Sequence, residues 1–174
     1  MNVAARLSPP QKLNETHVLA GFDCGKEALN QWLRVHALAN QKADYTQVMV
    51  VTSGADVVGF YGLSMSSVHR DDAPKKIKPH PAPRDIPCLL LGQFAVDARW
   101  SGKGIGAGLL KDALTRAIRI ADQAGMRAVV VNAVDEEAGK FWAGKGFIAA
   151  KGDPQTLFRS IEDIRATLAA SLAD

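Results

Sequence analysis

One stretch constrains this chain more than any other: Phe94-Ala95-Val96-Asp97-Ala98-Arg99-Trp100-Ser101-Gly102-Lys103-Gly104-Ile105-Gly106. The apolar run from Cys88 to Val96 predicts a buried strand, central in a sheet. After the turn, Leu110, Ala113, Leu114, Ala117, Ile118 and Ala121 recur at helical spacing, which predicts a helix over 105–124 ended by Gly125. A buried strand therefore feeds a glycine-rich turn, and the turn opens a helix. Glycines there let the backbone approach a ligand and present several N–H groups together. The helix N-terminus adds unpaired donors and about half a positive charge, so a phosphate or pyrophosphate is the natural guest. The loop is not a Walker loop, because Gly102-Lys103 is followed by Gly104 and not by Ser or Thr. Nor does it lie in the early βαβ unit that a dinucleotide fingerprint requires. A tight strand-to-helix connection with no ligand is the plainer account of the same glycines.

The rest of the pattern shows no internal repeat and no second domain over residues 1–174. A short strand is expected at Leu13 to His17, then a long helix from Lys26 to Lys42. Leu29, Trp32, Leu33, His36, Ala37 and Asn40 share one face of that helix, so His36 reads as a packed, hydrogen-bonded residue. Strands follow at Gln47 to Thr52 and Val57 to Met65, and a further buried one at Arg127 to Val134. Asp135 caps a helix that ends near Lys145-Gly146, with Glu136 and Glu137 in its first turn. Two short strands and a helix over 161–172 complete the chain. Between His69 and Pro87 lie five of the eight prolines together with Arg70, Lys75, Lys76, Lys78, His80 and Arg84. Proline removes donors and fixes φ, so this reads as a basic loop without a regular element, either a solvated connector or a contact for a polyanion.

Composition excludes some classes. A 174-residue chain that is 47% hydrophobic and 22% charged is globular, and a net charge of +3 permits a nucleic-acid partner without demanding one. No apolar run approaches the length that spans a bilayer, and Met1 to Arg6 lacks a signal-peptide core, so a cytoplasmic protein is expected. Cys24 and Cys88 have no companions at metal-ligand spacing, which points to reduced structural thiols and no metal.

Val96 to Leu110 resembles the acetyl-CoA motif of the GCN5-related N-acetyltransferases, Gln/Arg-x-x-Gly-x-Gly/Ala. Gly104 and Gly106 match its small positions, and Ser101 stands where a long polar side chain is usual. A literal match at Arg99, Gly102 and Gly104 sits too close to the strand. Phe22-Asp23-Cys24-Gly25, Leu29, Trp32-Leu33, Ala37, Val57 to Ser67, Leu91 to Asp97, Phe141 to Phe147 and Asp153-Pro154 are similar to the acetyltransferase toxins of type II toxin–antitoxin pairs. The resemblance implies an α+β fold, with a mixed, twisted sheet splayed between the fourth and fifth strands and flanked by helices. It implies acetyl-CoA as cosubstrate, held by the backbone at Phe94, Ala95 and Val96 and by Ser101, Gly102, Lys103, Gly104, Ile105 and Gly106, with Asn132 lining the groove. Acetylation of the α-amine on aminoacyl-tRNA, a ribbon-helix-helix antitoxin and a homodimer follow as further implications. Lys75, Lys76, Lys78 and Arg84 become tRNA-backbone contacts.

One departure bears on catalysis. The family places a general-acid Tyr after a Phe on the helix beyond the fifth strand, and here that pair is Phe141-Trp142. An indole N–H donates a hydrogen bond but cannot deliver a proton. The sequence leaves open a slower acetyltransferase, with water or Tyr61 protonating the thiolate, a catalytically impaired acyl-CoA-binding relative, or another acid. A small amine or a protein N-terminus remains the alternative acceptor.

Overall fold

A computed structural model of the chain describes residues 6–79 and 81–173. Met1 to Ala5 of the opening segment and His80 of the basic loop lie outside the described residues. The elements are β1 (Gln11–Lys12), α1 (Glu27–Gln31), a π-helical turn (Trp32–His36), α2 (Ala37–Lys42), β2 (Gln47–Ser53), β3 (Asp56–His69), β4 (Asp85–Val96), α3 (Ile105–Ala121), β5 (Ala128–Asn132), α4 (Glu136–Gly144), β6 (Ile148–Ala150), β7 (Asp153–Ser160) and α5 (Ile161–Ala173). Seven strands form one mixed sheet in the order β1-β2-β3-β4-β5-β7-β6, an α+β fold with helical flanks. β4 and β5 are parallel, and their ladder covers Cys88–Leu90 against Ala128–Val130. The β1–β2, β2–β3, β5–β7 and β6–β7 pairs are antiparallel.

The chain divides into two compact units. One comprises the chain up to Ser64 with Gln93–Ala113, and the other Met65–Gly92 with the chain from Leu114 onward. In the first, Phe60 is the packing centre: Phe22 meets it edge-on at 5.4 Å and Trp32 stacks on it at 6.0 Å. Leu29, Leu33 and Ala37 are buried around it. Gly59 is required for α3 to approach β3, because a Cβ there would lie 2.9 Å from Leu109 Cδ1 and 3.0 Å from Ile105 Cγ2. In the second, Ala73, Ile77, Ile86, Cys88, Ala128, Val130 and Phe158 form the core. Burial pushes the Cys88 thiol up to about 11.

Four expectations need correction. The first strand is Gln11–Lys12, not Leu13 to His17. Asn14 instead folds the chain back, its Oδ1 accepting from Thr16 N–H at 2.9 Å and its carbonyl from His17 N–H at 3.3 Å. His36 is exposed rather than packed. The π-helical turn keeps Leu29, Leu33 and Ala37 on the inner face at four-residue spacing and carries position 36 outward. The helix after the glycine turn stops at Ala121, three residues earlier than expected, with turn bonds from Gln123 and Ala124 to the Ile120 carbonyl. The proline-rich segment is shorter and more ordered than a free loop. β3 runs on to His69, β4 starts at Asp85, and Lys75–Ile77 makes a 3-10 turn that seats Ile77 in the core.

Candidate functional site

The end of β4 is held by Asp97, a carboxylate with 0% exposure. Its Oδ1 accepts from the Arg99 N–H at 2.9 Å and from Arg99 Nε at 3.0 Å, and its Oδ2 accepts from Arg99 Nη2 at 2.9 Å and from the Asp23 N–H at 3.1 Å. Its own N–H donates to the Val58 carbonyl, and Ala98 N–H donates to the Asp23 carbonyl. Those bonds, led by the Arg99 side chain, hold the Asp97 carboxyl down at about 2. Arg99 Nη2 also donates to the Gly21 carbonyl at 2.9 Å. This guanidinium is therefore turned onto Asp97 and the Gly21 loop. Asp23 in turn accepts from Gly25 N–H at 2.8 Å and from buried Asn30 Nδ2 at 2.9 Å, while Asn30 Oδ1 accepts from Cys24 N–H. The Phe22-Asp23-Cys24-Gly25 stretch is thus a buttress for the end of β4.

From that anchor the chain makes a 3-10 turn over Ala98–Trp100 and enters the glycine turn. Gly102 and Gly104 have φ of +74° and +82°, conformations that favour glycine, and nothing lies within 4 Å of a Cβ built on either. Ser101, Gly102, Lys103 and Gly104 are exposed. Gly108 N–H donates to the Gly104 carbonyl at 3.0 Å, so the N–H groups of Ile105, Gly106 and Ala107 precede any partner four residues back. No acidic residue lies in the first turn of α3. Lys103 Nζ sits 5.2 Å from the centroid of Trp100. An open, donor-rich cradle with a lysine beside it fits a pyrophosphate.

In the same unit, Phe94 and Val96 are half-buried on β4 and Ala95 is buried. Tyr61 on β3 has 0% exposure, and its hydroxyl donates a hydrogen bond to Asp112 Oδ2 on α3. In the second unit, Trp142 on α4 is 6% exposed and packs edge-on against Phe141 at 5.0 Å and Phe147 at 5.1 Å. Asp135 caps α4, accepting from Ala138 N–H at 2.8 Å. Asn132 is exposed at the end of β5, and its Oδ1 accepts from Thr156 Oγ1 at 3.3 Å. Lys75, Lys76 and Arg84 are exposed, whereas Lys78 is half-buried with Nζ donating to the Arg70 carbonyl at 2.7 Å. The fold thus gathers Phe94 to Gly106 into one cradle in the first unit, and Asn132, Trp142 and the basic segment belong to the second.

Sequence reading passed over Asp97, Asn30 and Asp112. For Asp97 a signal existed: an acid directly after an apolar strand with Arg two residues on. Asn30 and Asp112 carried none, because each takes its meaning from a partner brought in by the fold.

Residues 14–165 match the family model described as the acetyltransferase (GNAT) domain. The chain is 34% identical over 161 residues to a tRNA-acetylating toxin of Mycobacterium tuberculosis, covering 92% of this chain and 96% of that one. It superposes with a TM-score of 0.85 and 28% identity on AtaT complexed with acetyl-methionyl-tRNAfMet, covering 94% and 99% of the two chains. With a TM-score of 0.80 and 26% identity it also matches a Tyr-to-Phe mutant of the AtaT toxin bound to the C-terminus of the antitoxin AtaR and acetyl-CoA, again over 94% and 99%.

Proposed function

Because the chain belongs to the acetyltransferase (GNAT) domain family, we propose that it is an N-acetyltransferase that moves the acetyl group of acetyl-CoA onto the α-amine of an aminoacyl-tRNA. The observation that carries this reading is the open cradle from Ser101 to Gly106, in a chain similar over more than nine-tenths of its length to a tRNA-acetylating toxin. When bound, acetyl-CoA supplies an electrophilic thioester carbonyl and a thiolate that leaves. The N–H groups at the start of α3 and Lys103 hold its pyrophosphate, and backbone donors along Phe94 to Val96 orient its pantetheine arm. By the resemblance, Asn132 at the end of β5 is a further cofactor-binding residue. The α-amine of the acceptor titrates near ~8, so part of it is neutral without a strong base.

Trp142 occupies the position at which the resemblance expects a proton donor, and it orients rather than protonates. Water therefore serves the departing thiolate, whose ordinary pKa near ~8.5 makes it a tolerable leaving group. That same residue favours a second reading, a slow or impaired acyl-CoA-binding relative. Tyr61, closed off and bonded to Asp112, serves better as a brace between β3 and α3 than as an acid. Lys75, Lys76 and Arg84, with Lys78 beside them, contact the tRNA backbone.

The same reading makes the protein a cytoplasmic toxin, a homodimer built from a single domain over 1–174, restrained by a ribbon-helix-helix antitoxin; an antitoxin bound to the matched AtaT mutant supports it. Among the described residues no helix is long and apolar enough to cross a membrane, and no group of three His, Cys, Asp or Glu is placed to hold a metal. The test is transfer of labelled acetyl from acetyl-CoA to bulk charged tRNA, run beside Gly104→Val. Label in acid-stable aminoacyl product with the native chain alone supports the reading. Label in small amines or protein N-termini but not in charged tRNA defeats it.

A further inference from the structure

Tyr45 is 74% exposed, the most exposed of the large hydrophobic side chains in the described residues, yet both its backbone N–H and its carbonyl are hydrogen-bonded. Asp44 takes the left-handed conformation, φ +62°, that usually calls for glycine at a helix end, and it stops α2 abruptly. Tyr45 N–H then donates to the Asn40 carbonyl at 3.0 Å, and the Tyr45 carbonyl accepts from Ser64 Oγ at 2.9 Å. The next residue, Thr46, donates through Oγ1 to the Leu63 carbonyl at 3.1 Å. The ring therefore stands out from a rigid corner between α2 and the start of β2. A flexible tip bearing an exposed aromatic needs no explanation; a braced one presenting it to solvent does.

The corner also has an address. Gln47 pairs with Leu63, which puts Tyr45 at the Leu63–Ser64 end of the β2–β3 hairpin. One residue back along β3 is Gly62, where a Cβ would lie 3.2 Å from Thr46 Oγ1, 3.6 Å from Trp32 Cη2 and 3.9 Å from Gln93 Cβ. Gln93 directly precedes Phe94 to Val96 on β4. The opposite end of the hairpin is tied to the cradle, since Val58 accepts from Asp97 N–H. Along β3, the interval from Val58 to Gly62 is roughly 13 Å at ~3.3 Å per residue. Tyr45 accordingly lies at the end of the β2–β3 pair away from Asp97 and the glycine turn, past the level of Gln93, and not beside the cradle.

We propose that Tyr45 is a stacking platform for an unpaired nucleobase at the 3′ end of the RNA acceptor. The inference rests on the aminoacyl-tRNA reading above and names a binding contact which that reading did not contain. An unpaired 3′ end presents base faces with no partner, and a braced aromatic side chain accepts any of them with little loss of side-chain freedom. The contact positions the ester-linked amino acid without selecting among amino acids. It also differs from the basic segment in its physics, since stacking is only weakly sensitive to salt.

The experiment measures acetyl transfer from labelled acetyl-CoA to bulk charged tRNA with the native chain, Tyr45→Ala, Tyr45→Phe and Tyr45→Trp, and follows the added emission of Tyr45→Trp during titration with uncharged tRNA. Tyr45→Ala raises KM for charged tRNA about tenfold, leaves KM for acetyl-CoA where it was, and is rescued by Tyr45→Phe. The Tyr45→Trp emission is quenched by tRNA and not by blunt duplex RNA. An unchanged KM in Tyr45→Ala overturns the proposal while the acceptor assignment stands. An unchanged KM accompanied by loss of a dimer in sedimentation overturns it in favour of a contact between copies. If the native chain labels no charged tRNA, the reaction assignment fails separately; quenching by tRNA then still supports the stacking contact, and no quenching overturns it.

Discussion

At Asp97 a carboxylate withdrawn from water accepts four hydrogen bonds, three from Arg99 and one from the Asp23 backbone. Replacing it by Ala orphans the Asp23 N–H and leaves the guanidinium without its counter-charge. Because Arg99 itself is largely exposed, the expected loss is below that of a fully buried pair, about 2 kcal/mol in urea unfolding. The pH dependence follows from the direction of the shift. The carboxyl is lowered in the fold, to about 2 from an ordinary 3.8, so its contribution is fully present above pH ~4 and is lost as pH falls from ~4 toward ~2. Acid unfolding of Asp97→Asn should show a correspondingly flatter profile over that window. Trp142 poses the catalytic question at the same scale. If a positioned acid is what turnover lacks, Trp142→Tyr raises the single-turnover rate of acetyl transfer about a hundredfold; an unchanged rate means that protonation of the thiolate does not limit the reaction. Trp142→Ala opens a hole between Phe141 and Phe147 and should cost about 3–5 kcal/mol in unfolding free energy.

At the scale of elements, the turn from β4 into α3 works through its glycines. Gly104→Val forces a β-branched residue into φ +82°, costing about 1–2 kcal/mol, and places a side chain in the open cradle. Calorimetric titration with CoA should lose the bound state before the fold is lost, and the reverse order would show that the turn is only a connector. Gly59 acts one layer deeper. Gly59→Ala pushes Leu109 and Ile105 away from β3, with an expected penalty of about 1–3 kcal/mol and a weaker CoA complex. The cradle's residues were legible in the sequence because glycine spacing and the strand-to-helix transition are local. Its supports were not: Gly59 lies more than forty residues upstream of the helix it admits, and nothing in Asp56 to His69 marks that glycine apart from Gly62. The π-helical turn was likewise invisible, since a register change within a helix leaves the same residue types in the same order. Only the outward turn of His36 reports it.

For the whole molecule, the net charge of +3 is too small to explain a polyanionic partner by itself. What matters is that Lys75, Lys76 and Arg84 are exposed on a segment pinned by Ile77. If they meet RNA phosphates, replacing all three by Ala should lower the slope of log K against log salt for tRNA by about two, with KM for acetyl-CoA unchanged. A slope unaltered by the triple substitution would assign the segment to solvent. The sequence alone was enough for the α+β class, the order of the main helices and strands, the position of the glycine turn between β4 and α3, and the family likeness. Each of these is written in patterns a few residues long or in motifs kept in chain order. Tertiary structure alone decided which groups lose water and which partners they gain: Asp97 with Arg99, Asp23 with Asn30, Tyr61 with Asp112, and the exposure of Tyr45 on its braced corner. Burial and pairing depend on segments distant in the chain, so residue type and spacing do not carry them.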